Sequence, residues 1–253
     1  MIEEEFIHGN SVIHRLDPRV KTVVAAVFSI VVATSDRFVA LVPAIMIAVS
    51  FIFLARLSLK RVCFRLLVVN GLILLLWFFL PFTSQGEQLF TIGSLTGTKE
   101  GIIHAAAITI KSNAIIMTLM AFVATMPVFT LGRAMRYLHM PHKIIHLLSF
   151  TYRYVHVIHM EYRRLMNAIK IRGFHPKNNR HTYKTYAYLV GMLLVKSYDR
   201  AKRVRAAMLC RGFNGTFYDL GEFSLKTSDW VVMGLLLLAI VGIGLLQWAT
   251  IIS

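Results

Sequence analysis

Acidic residues are scarce in this chain: twelve Asp and Glu stand against twenty-eight Lys and Arg, a formal net charge of +16. Charge of either sign is thin, at 16% of 253 residues, where a soluble domain carries about 25%. A soluble enzyme must spread charge over its surface, so that reading is close to excluded. Disorder is excluded from the other side. It needs low hydrophobicity, and this chain is 57% hydrophobic with a mean hydropathy of +0.63. The two cysteines, Cys63 and Cys210, lie far apart and form no Cys-x-x-Cys pair. Neither a disulfide framework nor a thiolate metal site is indicated. A basic leader is missing as well: the chain opens Met-Ile-Glu-Glu-Glu, and no small-residue cleavage site follows the first apolar run. A secretory signal is therefore not expected.

What is present is a series of long apolar runs. A bilayer core about 30 Å thick asks for about 20 apolar residues per helix. Spans are expected at approximately 20–34, 38–55, 66–82, 112–131 and 230–253, the last with no charge at all. No Asp or Glu falls in any of them. Lys111 and His104, near the start of the fourth span, are close enough to its outer end to snorkel. The loops set the orientation, because Lys and Arg are retained on the cytoplasmic side. Arg56, Lys60, Arg61 and Arg65 between spans two and three mark an inner loop, and 83–101 is a polar outer loop. The expected topology places the N-terminus inside, the hairpin tip at Ser35-Asp36-Arg37 outside, residues 133–229 inside and the C-terminus outside. Three parts follow: an N-terminal membrane part over 1–132 with four spans, a cytoplasmic segment over 133–229, and a C-terminal transmembrane helix over 230–253. The fold class is an all-α polytopic membrane protein at the cell membrane.

Residues 133–229 hold eighteen Lys and Arg against five Asp and Glu, so thirteen of the sixteen net positive charges sit there. This is where the protein meets something else. Apolar residues recur every three or four positions from Ile144 to Ile171, which predicts an amphipathic helix. Pro176 and the turn signal around Asn178-Asn179 separate it from a second helix, Tyr183 to Leu209. Basic amphipathic helices suit the surface of a membrane rich in anionic lipid. A repeat emerges when Tyr162–Phe174, YRRLMNAIKIRGF, is aligned with Ala201–Phe213, AKRVRAAMLCRGF. Arg163/Arg164 match Lys202/Arg203, Ala168 matches Ala207, and both copies end Arg-Gly-Phe, at Arg172-Gly173-Phe174 and Arg211-Gly212-Phe213. Each copy predicts a helix ending at Arg, with Gly in the left-handed conformation that stops it. One such cap is ordinary. Two equivalent tips in one segment suggest two equivalent receptors, and hence a twofold partner.

These paired arginines resemble the coupling motifs, usually Ala-Arg-Gly, of the transmembrane T component of energy-coupling-factor (ECF) transporters. His14-Arg-Leu-Asp-Pro-Arg-Val-Lys21 looks like the stretch preceding that family's first span. Ser149-Phe-Thr-Tyr-Arg-Tyr154 and Arg203–Gly215 resemble its cobalt/nickel branch, the CbiQ family. The residue before each Arg departs from the pattern: Ile171 in the first copy and Cys210 in the second. The resemblance implies a non-catalytic subunit that couples two cytoplasmic ABC-type ATPases to a membrane-embedded substrate-binding subunit in an importer for cobalt or nickel. A vitamin ECF transporter is the alternative within the family. The implied ATPase-coupling residues are Ala168, Arg172, Gly173, Ala207, Arg211 and Gly212. No cofactor is expected on this chain: ATP and Mg would sit on the ATPases, and the transported metal on the substrate-binding subunit. The sequence agrees about ATP, having no Gly-x-x-x-x-Gly-Lys-Ser/Thr run.

Other readings have less support. His139/His142/His146 and His156/His159 have helical spacing, but no carboxylate or thiol clusters with them, so a structural role is expected and no metal site. Twelve methionines read as packing rather than copper ligands. Nucleic acid is not expected as a partner, since headgroup contact explains the same basic charge. An intramembrane enzyme would need a constellation such as His-Glu-x-x-His or Gly-x-Ser-x-Gly, and neither occurs. A stand-alone carrier would show repeated membrane halves, whereas the repeat here lies in 133–229.

Overall fold

The computed structural model describes residues 9, 11–35, 37–84, 88–92, 95–138, 140–215 and 227–252. They are helical apart from one short hairpin, and they form two compact units. The larger unit holds α1 (Val12–Arg15), α2 (Pro18–Thr34), α3 (Phe38–Ala55), α4 (Leu59–Thr83), the strands β1 (Gln88–Ile92) and β2 (Leu95–Thr98), α5 (Lys99–Phe122), α6 (Val128–Tyr137) and α9 (Thr227–Ile252). The smaller holds α7 (His142–Ile171) and α8 (Arg180–Cys210). This is an all-α membrane protein. Among the described residues α3, α4 and α5 are long and apolar enough to cross a bilayer. The 17-residue α2 and the apolar stretch Val232–Gly242 of α9 are shorter.

In the larger unit α3 packs most extensively on α5. Ala40, Ala44 and Ala48 repeat every fourth residue on α3, and Ala107, Ala114 and Ala121 every seventh on α5, all buried. Small side chains let two backbones approach, which is how helices gain packing where lipid gives no hydrophobic drive. Phe28, Phe51 and Phe122 then fill the centre edge to face, with ring centroids 5.9 and 4.9 Å apart. The stretch His14–Lys21 runs from the end of α1 through Leu16-Asp17 into the first turn of α2. Asp17 caps it, Oδ1 accepting from the Arg19 amide at 2.8 Å, and Pro18 takes the first helical position, where its missing N–H costs nothing. The Arg19 guanidinium lies 3.5 Å from the Tyr137 ring centre and so joins α2 to α6. Buried Lys21 donates to the His14 carbonyl at 3.1 Å.

Three boundaries of the expected spans differ by more than three residues. Helix α4 starts at Leu59 rather than 66, so Lys60, Arg61 and Arg65 lie on its first two turns, and the connecting loop is only Arg56–Ser58. Twenty-five residues rise about 37 Å, enough to cross a bilayer and carry its basic end into the headgroups. The expected span 112–131 is instead α5 over 99–122, a turn, and then α6. Pro127 is the reason: it cannot donate to the helix ladder, and it drives Met126 away from helical geometry. The earlier start of α5 takes in Glu100, so acid is not absent from this helix. It also moves Lys111 about 18 Å along the helix at 1.5 Å per residue. There Lys111 reaches the Ala33 carbonyl at 3.2 Å, in the last turn of α2, rather than the outer end of its own helix. Part of the polar stretch 83–101 is the β1–β2 antiparallel hairpin. Its last residue, Thr98, donates to the carbonyls of Pro81 and Ser84 at 3.0 and 3.1 Å. Gly101 is required beside it, because a Cβ there would sit 2.7 Å from the Leu80 carbonyl oxygen.

Candidate functional site

Helices α7 and α8 run two residues further N-terminal than 144 and three further than 183, and end within one residue of the predicted limits. Their separation is a capping network. The Asn179 side chain accepts from the Thr182 amide at 2.9 Å and from its hydroxyl at 2.8 Å, while Thr182 Oγ1 accepts from the Lys177 amide at 3.1 Å. Phe174 meets Tyr186 edge to face at 5.8 Å, fixing the chain as it leaves the first tip.

The two Arg-Gly-Phe tips have the same backbone geometry. Arg172 has φ −79° and ψ 14°, and Arg211 φ −92° and ψ 12°. Gly173 and Gly212 both have φ +79°, the left-handed conformation that a side chain disfavours. At the first tip the Phe174 amide donates to Ile169 at 3.3 Å and the Gly173 amide to Lys170 at 3.0 Å. At the second, Phe213 donates to Met208 and Gly212 to Leu209, both at 3.0 Å. These are paired Schellman caps, satisfying carbonyls that a helix end otherwise leaves unbonded. Each cap leaves its arginine at the negative end of a helix dipole, which favours a cation by about 0.3–1 kcal/mol. Arg172 and Arg211 are exposed, as are Ala168 and Ala207 one turn earlier. So is the residue before each Arg: Ile171 is 86% accessible, and Cys210 is an exposed free thiol.

The tips lie at opposite ends of α8, whose 31 residues rise about 46 Å. They are therefore two separate contact points. From 140 to 215 there are fifteen Lys and Arg and only two acids, Glu161 and Asp199. An arginine fork makes bidentate, charge-assisted contacts with carboxylates, so this arrangement can seat two acidic grooves.

Sequence reasoning missed two features of this unit. Glu161 of α7 accepts a hydrogen bond from Lys196 Nζ of α8, and its other oxygen lies 3.8 Å from Arg164. The Lys196 hydrogen bond, with further help from the charges of Lys196, Arg164 and Arg200, holds the Glu161 carboxyl below its usual range. The signal available was that Glu161 is the single acid in α7. Beyond this pair the helices leave an apolar groove of about 550 Å³, walled by Phe150, Tyr154, Ile158, Val204, Met208 and Phe213. Among the described residues no group of three or more His, Cys, Asp and Glu gathers into a metal site. His139 and the side chain of His142 lie outside the described residues, while His159 stacks against Tyr162.

The family described as cobalt transport protein, CbiQ, matches residues 9–219 of the chain. Among curated relatives, the energy-coupling factor transporter transmembrane protein EcfT of Streptococcus equi subsp. equi is 28% identical over 96% of this chain and 94% of that protein. The EcfT proteins of Thermosediminibacter oceani and Bacillus subtilis are each 27% identical, covering 98% and 85% of this chain and 96% and 85% of their own. The match takes in both Arg-Gly-Phe tips and the capped start of α2. With the membrane helices, it establishes that this chain belongs to the CbiQ cobalt transport protein family, whose T-component relatives are membrane proteins.

Proposed function

We propose that this chain is the non-catalytic coupling subunit of an ATP-driven ECF importer for cobalt or nickel. Two cytoplasmic ATPases bind its two arginine tips, and a membrane-embedded substrate-binding subunit carries the ligand. The observation that carries the reading is the pair of identical capped tips, Arg172-Gly173 and Arg211-Gly212, held at the two ends of one basic helix. Closure of an ATPase pair on ATP draws its grooves together. Tips seated in those grooves convert that movement into a change in α7 and α8, and so into the membrane helices. Ala168 and Ala207, one turn before the tips, keep each approach surface low. Residues 133–229 and the N-terminus lie on the cytoplasmic side in this reading, as their positive charge favours. Lipid headgroups take up the remaining basic charge. ATP and Mg stay on the ATPases and the metal on the substrate-binding subunit.

The relatives' names specify no ligand, whereas the family description specifies cobalt. A vitamin importer is thus the second reading, and uptake by the reconstituted complex separates the two: labelled cobalt or nickel accumulates, or a vitamin does. The coupling role is tested by Arg172→Ala, Arg211→Ala and the double change. Removing one partner of a desolvated charge pair commonly costs about 2–5 kcal/mol. Each single change is expected to reduce uptake sharply, and the double change to abolish ATPase co-purification at normal expression. Arg→Lys should rescue poorly, because an ammonium lacks the planar fork. Full uptake by the double Ala variant sinks the coupling role.

A further inference from the structure

We propose that Glu161 and Lys196 form a clasp that sets the angle between α7 and α8, and so where α7 stands relative to the two arginine tips, a positioning role that rests on the coupling reading above. Helices α7 and α8 are tied at one end by the 172–179 turn, and they meet again where Glu161 bonds Lys196 across thirty-five positions of sequence. The pair is partly enclosed. The Glu161 side chain is 15% accessible, with Val157, Ile158 and Leu193 around it, while that of Lys196 is 43% accessible.

The surrounding charge gives the clasp its direction. Arg164 lies 3.8 Å from the second Glu161 oxygen, and the charges of Lys196 and Arg200 act on it from α8. The charges acting on Glu161 are thus cations of both helices. Without its charge, Arg164 on α7 faces Lys196 and Arg200 on α8, and like charges push the helices apart. Past the clasp the helices leave the Phe150–Phe213 groove between them, so separation there meets little packing. The lever is long. With the 172–179 turn as the remaining tie, Arg211 lies about 46 Å away along the 31 residues of α8 at 1.5 Å per residue, and opening by about 5° moves it about 4 Å relative to α7. Both tips stay joined through α8 and the 172–179 turn and can still be seated in their grooves, but α7 no longer follows them rigidly. The clasp is therefore expected to govern how much movement is transmitted rather than whether an ATPase binds.

The test uses the full chain in lipid nanodiscs, with spin labels at the exposed Leu147→Cys on α7 and Leu209→Cys on α8, at the end away from the 172–179 turn, in a Cys63→Ser/Cys210→Ser background. The parent should give one narrow distance distribution. Glu161→Gln and Lys196→Gln, which remove the pair from opposite sides, should each broaden it towards longer distances. The swap Glu161→Lys/Lys196→Glu should narrow it again. In the assembled transporter both Gln variants should capture ATPase as the parent does but move severalfold less ligand per ATP hydrolysed, with recovery in the swap. Unchanged distances and unchanged transport per ATP in both Gln variants overturn the clasp. Failure of the parent itself to capture ATPase overturns the coupling reading instead, and the distance measurement then judges the clasp alone.

Discussion

Replacing Gly173 or Gly212 with Ala perturbs the tips without touching the arginines. Each glycine has φ +79°, and a Cβ built on either meets no heavy atom within 4 Å. Steric collision is therefore not the cost. What remains is the left-handed backbone, which disfavours an L side chain by about 1–2 kcal/mol. The chain can bear that strain or escape it by letting the helix run on past Arg, which breaks the bonds from Phe174 to Ile169 or from Phe213 to Met208. Either route opposes the bound tip by roughly 1–2 kcal/mol, or about a 5–30-fold weaker ATPase contact per site. Because φ is the same at both glycines, the two variants should suffer equally. Asn enters the left-handed region more readily than Ala, through local hydrogen bonding by its short side chain. Gly173→Asn and Gly212→Asn are thus expected to fall between parent and Ala. The assay is a titration of ATPase onto nanodisc-held chain, with the far-ultraviolet helix signal as the folding control. Two results would refute the reasoning: Ala variants binding as the parent does, or Asn variants binding no better than Ala.

Two further outcomes are expected. For topology, impermeant thiol reagents applied to intact cells should label a Cys placed at Gly93 or Ser253 and miss one placed at Asn178; labelling of 178 would invert the cytoplasmic assignment. In the membrane unit, Asn70 and Asn113 exchange amide hydrogen bonds at 3.0 and 3.1 Å, joining α4 to α5. Asn113→Leu alone should destabilise by about 1–3 kcal/mol by stranding Asn70, and adding Asn70→Leu should recover most of that loss, read from thermal unfolding in detergent.

The helix ends, the apolar runs and the charge asymmetry were legible because each is written within a few consecutive residues. A Schellman cap spans six positions, so Arg172-Gly173-Phe174 and Arg211-Gly212-Phe213 specify their own φ and hydrogen bonds before any partner is present. Asp17-Pro18 likewise encodes the start of α2. The break at Pro127 is local too, but the early start of α5 and the pairs that join one helix to another depend on residues distant in sequence. Hydropathy counts residues 99–111 as too polar for a span. They become the first half of α5 because Gly101 lies against Leu80 and Pro81, and because Lys111 finds the Ala33 carbonyl seventy-eight positions away. Asn70 with Asn113 and Glu161 with Lys196 are partners across forty-three and thirty-five positions. No periodicity announces such pairs, since a polar residue on an apolar or basic helix reads as an exception until its partner is folded beside it. The sequence by itself therefore determined the tips as local objects and, through the length of α8, roughly how far apart they stand; the tertiary structure decided how α7 is held against α8, because the Glu161–Lys196 contact joins residues thirty-five positions apart.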